Sequence, residues 1–373
     1  MPPHNDAPSP ASSFDQRFIS SRTLGFAPDS AREAVGSIYA HSQYSDSFET
    51  ASFDSVDDMA HRPLVPGVHV PTVAFFDKVT EELDLETVGK HAVRLAKAGV
   101  AGLATQGSNG EAVHLSHNER QQVTRTTRKA LNDAGFHTLP IIVGCGAQST
   151  RETIDLCHEA LRSGGDYALV LPPSYYKGLF KSESIVEFFQ DVANASPIPI
   201  LIYNYPGAVS GIDMDSDVII ELSQHPNIVG CKFTCGNTGK LNRVASATRA
   251  TTPTEPGSGF MCFGGSADFV LQTLIAGGSG IIGGLANISP KACVKLIDLY
   301  SAGSIKDAKK MQAIVARGDW AAITSGVVGT KSALETFYGY GGYGRKPLPR
   351  PTKQDVLKYT EGFRELVALE KSL

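Results

Sequence analysis

The chain has no apolar run long enough to cross a bilayer, no excess of basic residues, and no C-x-x-C pair among its six cysteines. The first absence excludes a helical membrane span, so a soluble protein is expected. The second, 34 Lys and Arg against 38 Asp and Glu, gives no electrostatic case for nucleic acid or an anionic membrane surface. The cysteines (Cys145, Cys157, Cys231, Cys235, Cys262 and Cys293) fall mostly in segments that read as strands or helices, where a free thiol behaves as a small hydrophobe. Scattered cysteines without a signal peptide suit a reducing compartment; the cytoplasm is expected, with the mitochondrial matrix kept open. Cys231 and Cys235 flank Lys232, but no second pair follows, and no metal site is expected.

Nucleotide signatures are lacking too. No G-x-G-x-x-G opens a helix after the first predicted strand. The glycines of 277–284 run through a predicted strand, and Gly236-Asn-Thr-Gly239-Lys240 is followed by Leu241 where a Walker loop needs Ser or Thr. Lysine is absent from 1–62, which is instead rich in Ser, Asp and Pro and reads as a disordered leader. Arg17, Arg22 and Arg32 hint at a transit peptide; Asp6, Asp15 and Asp29 argue against one.

From Gly67 onward, short apolar runs alternate with amphipathic stretches at the spacing of βα units. Strands are predicted over 68–73, 101–105, 141–144, 167–171, 200–203, 228–232, 260–263 and 280–282. Helices are predicted over 85–98, 118–134, 150–163, 184–195, 215–223, 241–248, 268–276 and 290–300. That order implies an α/β fold, a (β/α)8 TIM barrel over 63–303. Further helices over 304–316, 321–326 and 354–373 make a C-terminal helical appendage over 304–373.

Catalytic groups of such barrels gather at the carboxyl ends of the strands. There the sixth strand, Ile228-Val-Gly-Cys231, runs into Lys232. Desolvation favours a neutral amine over an ammonium, which suits a Schiff-base nucleophile, although a lysine can also snorkel from the rim. Tyr203 ends the preceding strand and would set a proton donor beside that amine; plain aromatic packing is the alternative. The second strand leads into Gly107-Ser108-Asn109-Gly110-Glu111, whose backbone amides and polar side chains suit a carboxylate or an ordinary turn. His114 and His117 look like a metal pair, but Ser116-His-Asn-Glu119 reads as a capping box, and both are read as structural.

Taken in order, GSNGE (107–111), LSHNER (115–120), PPSYY (172–176), YNYPG (203–207), VGCKFT (229–234) and GYGRKPLP (342–349) resemble the dihydrodipicolinate synthase / N-acetylneuraminate lyase family of class I aldolases. The resemblance runs from about Val65 almost to the C-terminus. It implies that Lys232 forms an imine with a 2-oxo acid and that Tyr203 moves the proton. It also implies that Tyr176 reaches a neighbouring protomer's site in a homodimer or homotetramer. Ser108, Asn109 and Gly107 would hold the α-carboxylate. Thr234 would assist with substrate hydroxyls, plain packing of a β-branched strand residue being the alternative, and Ile282 would complete the substrate pocket. The covalent imine replaces any cofactor or metal.

The family's synthases usually carry Thr-Thr where this chain has Ser108-Asn109, and an arginine where it has Ala208. An alanine cannot grip a second carboxylate through a bidentate contact. The pattern is nearer to 4-hydroxy-2-oxoglutarate aldolases and 2-keto-3-deoxy-sugar-acid aldolases, which implies cleavage of a 4-hydroxy-2-oxo acid to pyruvate and an aldehyde. A synthase-type condensation of pyruvate with aspartate semialdehyde, or an inactive barrel kept for binding, are the alternatives.

Overall fold

Eight short apolar runs form parallel strands that close on themselves in a computed structural model describing residues 62–373. They are β1 (Gly67–Pro71), β2 (Gly102–Thr105), β3 (Ile141–Gly144), β4 (Tyr167–Val170), β5 (Ile200–Asn204), β6 (Ile228–Phe233), β7 (Met261–Gly264) and β8 (Gly280–Ile282). Each pairs with its sequence neighbours, and β8 returns to β1 from Gly67↔Gly280 to His69↔Ile282. The predicted barrel is therefore present. The expected leader lies outside the described residues, apart from Arg62, which pairs with Asp166 at 3.1 Å.

The helices α1 (Leu85–Lys97), α2 (His117–Asp133), α3 (Thr150–Arg162), α4 (Ser182–Ala195), α5 (Ser216–Leu222), α6 (Thr238–Thr248), α7 (Val270–Ile275) and α8 (Pro290–Ser301) follow the strands in turn. Several open on side chains that accept from their free N–H groups: Asp84, Ser149, Asp215 and Asn237. Ser116 and Glu119 form the predicted capping box.

Alternation along each strand divides the side chains between two cores. Val68, Val70, Leu103, Ile141 and Val143 pack outward against the helices. Ala104, Ile142, Leu169, Leu201, Tyr203, Met261, Phe263 and Ile282 fill the interior. Fully burying one such aliphatic or aromatic side chain is worth about 1.5–3 kcal/mol, which makes the interior a packed core rather than a pore.

The C-terminal helices differ from the prediction. The 34 residues of α9 (Ile305–Tyr338) form two helical stretches that meet at a kink at Gly326 (φ 59, ψ −156), and the second stretch was not expected. The stretch after Gly326 is rich in Val, Gly and Thr and has weak helix propensity. Burial of Lys331, Ala333 and Leu334 overrides that preference. A capping box of Thr352 and Asp355 then opens α10 (Lys353–Ser372).

These helices supply what the barrel helices lack. The turn after β7 and the helix α8 have no side-chain N-cap of their own. Asp319 of α9 accepts from Ser266 Oγ (2.6 Å), Ala267 N (2.7 Å) and Asp268 N (2.8 Å). Glu370 of α10 accepts from Lys291 N (3.1 Å) and Ala292 N (2.9 Å) at the start of α8. Both carboxylates accept from N–H groups that open helical turns, while burial pushes both above the ordinary carboxylate range.

Candidate active site

The position of Lys232 depends on an irregularity in β6. Ile200 pairs with Ile228 but Leu201 pairs with Gly230, so Val229 is one residue too many: a β-bulge. Ile228 faces the helices, and so do Cys231 and Phe233, which lie an odd number of positions away. Strict alternation from Ile228 would send Lys232 outward with it. The bulge reverses the phase and turns Lys232 into the barrel. Gly230 makes this close packing possible, because a Cβ there would stand 2.7 Å from the Met261 carbonyl oxygen.

Lys232 pairs in register with Tyr203 on β5 and with Phe263 on β7. Only 3% of it is exposed, and its Nζ stands 4.2 Å from the centre of the Tyr203 ring. Tyr203 is equally buried and stacks on Tyr205, with centroids 5.7 Å apart and planes at 22°. Burial first, and then the Tyr203 neighbour, push the Tyr205 phenol above its ordinary range. Ile282, fully buried, packs in the same interior cluster as Tyr203. An amine, a phenol and an apolar wall therefore converge at one end of the barrel.

Between the two tyrosines, Asn204 points the other way. Its Nδ2 donates to Asp213 (2.8 Å), and its Oδ1 accepts from Met214 N (3.1 Å). Asp213 in turn pairs with the buried Lys240. The lysine of the false Walker pattern thus braces the loop after β5. The Asn204 carbonyl also accepts from Thr234 N (2.9 Å). The hydroxyl of Thr234 is buried without a hydrogen-bond partner, two residues beyond Lys232. It lies against Gly265, where an added Cβ would come within 2.0 Å.

The turn after β2 carries Gly107, Ser108 and Asn109, closed by bonds from Gly110 N to Gly107 O (3.0 Å) and from Glu111 N to Ser108 O (3.3 Å). Ser108 is exposed and Asn109 half-buried. The Asn109 amide lies over Gly284, just past β8: a Cβ on that glycine would stand 2.8 Å from Nδ2. The turn therefore reaches across the first strand to the eighth. Tyr176 takes no part in this convergence within one chain; 63% of it is exposed, edge-on to Tyr175 at 5.0 Å. Ala208 is exposed in the turn after β5.

Both histidines of the apparent metal pair are otherwise engaged. His114 meets Glu111 at 3.1 Å, and His117 meets Glu159 at 3.0 Å. Among the described residues, no three His, Cys, Asp or Glu side chains gather as a metal site would require. Sequence reasoning passes over Glu111 as a side chain and over Lys331 altogether. Both are buried, and they meet at 3.0 Å. The available signal was the acidic residue closing an otherwise small and polar turn.

A closed eight-stranded barrel with these strand-end groups defines a TIM-barrel enzyme. Residues 65–360 match the model of the Dihydrodipicolinate synthetase family, and the chain belongs to that family. It is 55% identical over 315 residues to a protein of Emericella nidulans named "Probable 4-hydroxy-2-oxoglutarate aldolase, mitochondrial", covering 84% of this chain and 99% of that one. It is 54% identical over 315 residues to the L-threo-3-deoxy-hexylosonate aldolase of Hypocrea jecorina, covering 84% and 100%. The crystal structure of a dihydrodipicolinate synthase family protein from Coccidioides immitis superposes with a TM-score of 0.74 at 34% identity, over 84% of this chain and 99% of that one.

Proposed function

We propose that the chain is a Schiff-base aldolase that reversibly cleaves a 4-hydroxy-2-oxo acid to pyruvate and an aldehyde. The observation that carries this reading is the buried Lys232 amine lying 4.2 Å from the Tyr203 ring at the carboxyl ends of adjacent strands. The names of the Emericella and Hypocrea relatives support the substrate class.

In this scheme the Lys232 amine adds to the 2-oxo carbon and water leaves, giving a protonated imine. Tyr203 takes the proton from the 4-hydroxyl. The C3–C4 bond breaks, its electron pair flows into the imine to form an enamine, and the aldehyde departs. A proton returned to C3 and hydrolysis of the imine release pyruvate and free Lys232. Ser108, Asn109 and the Gly107 backbone hold the α-carboxylate, while Thr234 and Ile282 bound the rest of the substrate. Tyr176, exposed on the rim, serves a second protomer of a homodimer or homotetramer. The chemistry needs neither metal nor cofactor, since the imine is itself the electron sink.

Glyoxylate, from 4-hydroxy-2-oxoglutarate, and glyceraldehyde, from a 3-deoxy-hexulosonate, are the two aldehydes proposed. With Ala208 in place of an arginine, a synthase reaction on a second carboxylate is disfavoured. The mitochondrial name of the Emericella relative favours the matrix over the cytoplasm. Among the described residues, no helix is long and apolar enough to cross a membrane.

The test is pyruvate release from each candidate 4-hydroxy-2-oxo acid by wild type and Lys232→Ala. Release by the wild type alone is expected. Equal turnover by the variant would end the proposal.

A further inference from the structure

Two sequence motifs have no part in the chemistry above: the glutamate that closes 107–111, and the terminal 342–349. In the structure they meet. Glu111 Oε1 accepts from Lys331 Nζ at 3.0 Å, and its Oε2 accepts from Arg345 N at 2.8 Å. The Lys331 side chain is completely buried, and its ammonium lies 4.6 Å over the Phe76 ring. Burial pulls Lys331 below the usual lysine range, and Glu111 opposes that shift.

The backbone shows what this contact holds. Gln106 and Glu111 bracket the 107–110 turn, and both have φ of +52°, a conformation that side-chain-bearing residues rarely adopt. Each is fixed by its own side chain. Gln106 Nε2 donates to Arg120 O (2.5 Å), and its Oε1 accepts from Thr124 Oγ1 (3.0 Å), both on α2. Glu111 is fixed from the other side by Lys331 of α9 and the 342–349 segment. A turn with strained ends relaxes when an anchor is removed.

We propose that Lys331, through Glu111, is a positioning residue that holds the 107–110 turn in the form that receives the substrate's carboxylate. The C-terminal helices thereby become part of the substrate-binding apparatus rather than a mere covering of the barrel. This rests on the aldolase reading above. A buried pair is a weak source of stability but a specific constraint on geometry, so its loss is felt in binding before turnover.

The test uses the full chain as wild type, Lys331→Met, and the double variant Glu111→Gln/Lys331→Met, which buries no lone charge. Two carbonyl compounds are trapped on Lys232 by borohydride and quantified by peptide mapping: pyruvate, which has the carboxylate, and acetone, which lacks it. The pyruvate concentration for half-maximal labelling should rise about tenfold or more in the variants, with kcat at saturation little changed, the signature of lost uniform binding. Acetone labelling should stay within about twofold of wild type, since the amine itself is untouched. Unchanged half-saturation, or pyruvate and acetone labelling that fall together, would overturn the proposal. If Lys331→Met does not fold, the double variant carries the test. If neither folds, the pair is a determinant of the fold and the positioning role is refuted. A wild type that labels with neither compound would instead refute the aldolase reading, and this proposal with it.

Discussion

Lys232 and Tyr203 are register partners on β6 and β5, and their side chains meet inside the barrel because a bulge at Val229 shifts the phase of β6. The proposed chemistry depends on that one extra residue. It brings the amine and the phenol ring to the same face of neighbouring strands, with Nζ 4.2 Å from the ring centre.

Tyr203→Phe should separate the two roles. The imine still forms on Lys232, while turnover falls by about 10²–10⁴-fold, the usual scale for a lost acid–base group. Single-turnover kinetics beside borohydride trapping measure both. An unchanged kcat would remove Tyr203 from the mechanism.

Gly230→Ala tests the bulge. Its Cβ meets the Met261 carbonyl at 2.7 Å, a backbone contact that cannot swing aside. Overpacking of this kind costs about 1–3 kcal/mol. Urea unfolding should show that loss. Pyruvate labelling of Lys232 should fall further than the lost folded fraction explains, because β6 and β7 are forced apart beside the amine. Wild-type labelling and stability would show that the close packing is unnecessary.

Acid titration should reveal opposing contributions. Burial lowers His69 to about 4 and His91 to about 3, so between their ordinary value of 6.5 and those values the unfolded chain binds their protons first. Stability from these two residues is full above about pH 6.5 and is lost as the pH falls. Asp319 acts in the opposite sense. Burial raises it to about 6, so the stability it lends is full below its ordinary 3.8 and is lost as the pH rises through about 6. Asp319→Asn should therefore gain about 2–3 kcal/mol on wild type between about pH 4 and pH 7. Parallel stability curves in urea would contradict this.

Thiol chemistry should be selective. Burial pushes the thiols of Cys145, Cys231, Cys262 and Cys293 up, and Cys157 is also enclosed. Only Cys235 is partly exposed. A disulfide reagent at about pH 8 should modify one thiol quickly in the native protein, because thiolate fraction and access control the rate. All six should react in denaturant. Rapid reaction of several native thiols would show that the helix layer opens readily.

Much of the barrel was legible because its strands are short apolar runs and several helices begin with their own caps. The strands expected at 141–144 and 280–282 have those limits in the structure, and the Ser116 box marks the start of α2. The helix after Gly326 was not legible, since Val, Gly and Thr argue against it locally and its support comes from distant packing. The inward turn of Lys232 was hidden for a related reason. A bulge is a property of two strands paired, and Val229 looks like any other strand residue until β5 lies beside it. Glu111 could be seen but not explained, because its partner is Lys331, 220 positions further along the chain.

The most direct test of the central claim is borohydride reduction of the full-length protein with pyruvate, followed by mass spectrometry and peptide mapping. One reduced pyruvate adduct per chain is expected, on Lys232, and none in Lys232→Ala. A folded wild-type protein with no adduct, or with the adduct on another lysine, would contradict it.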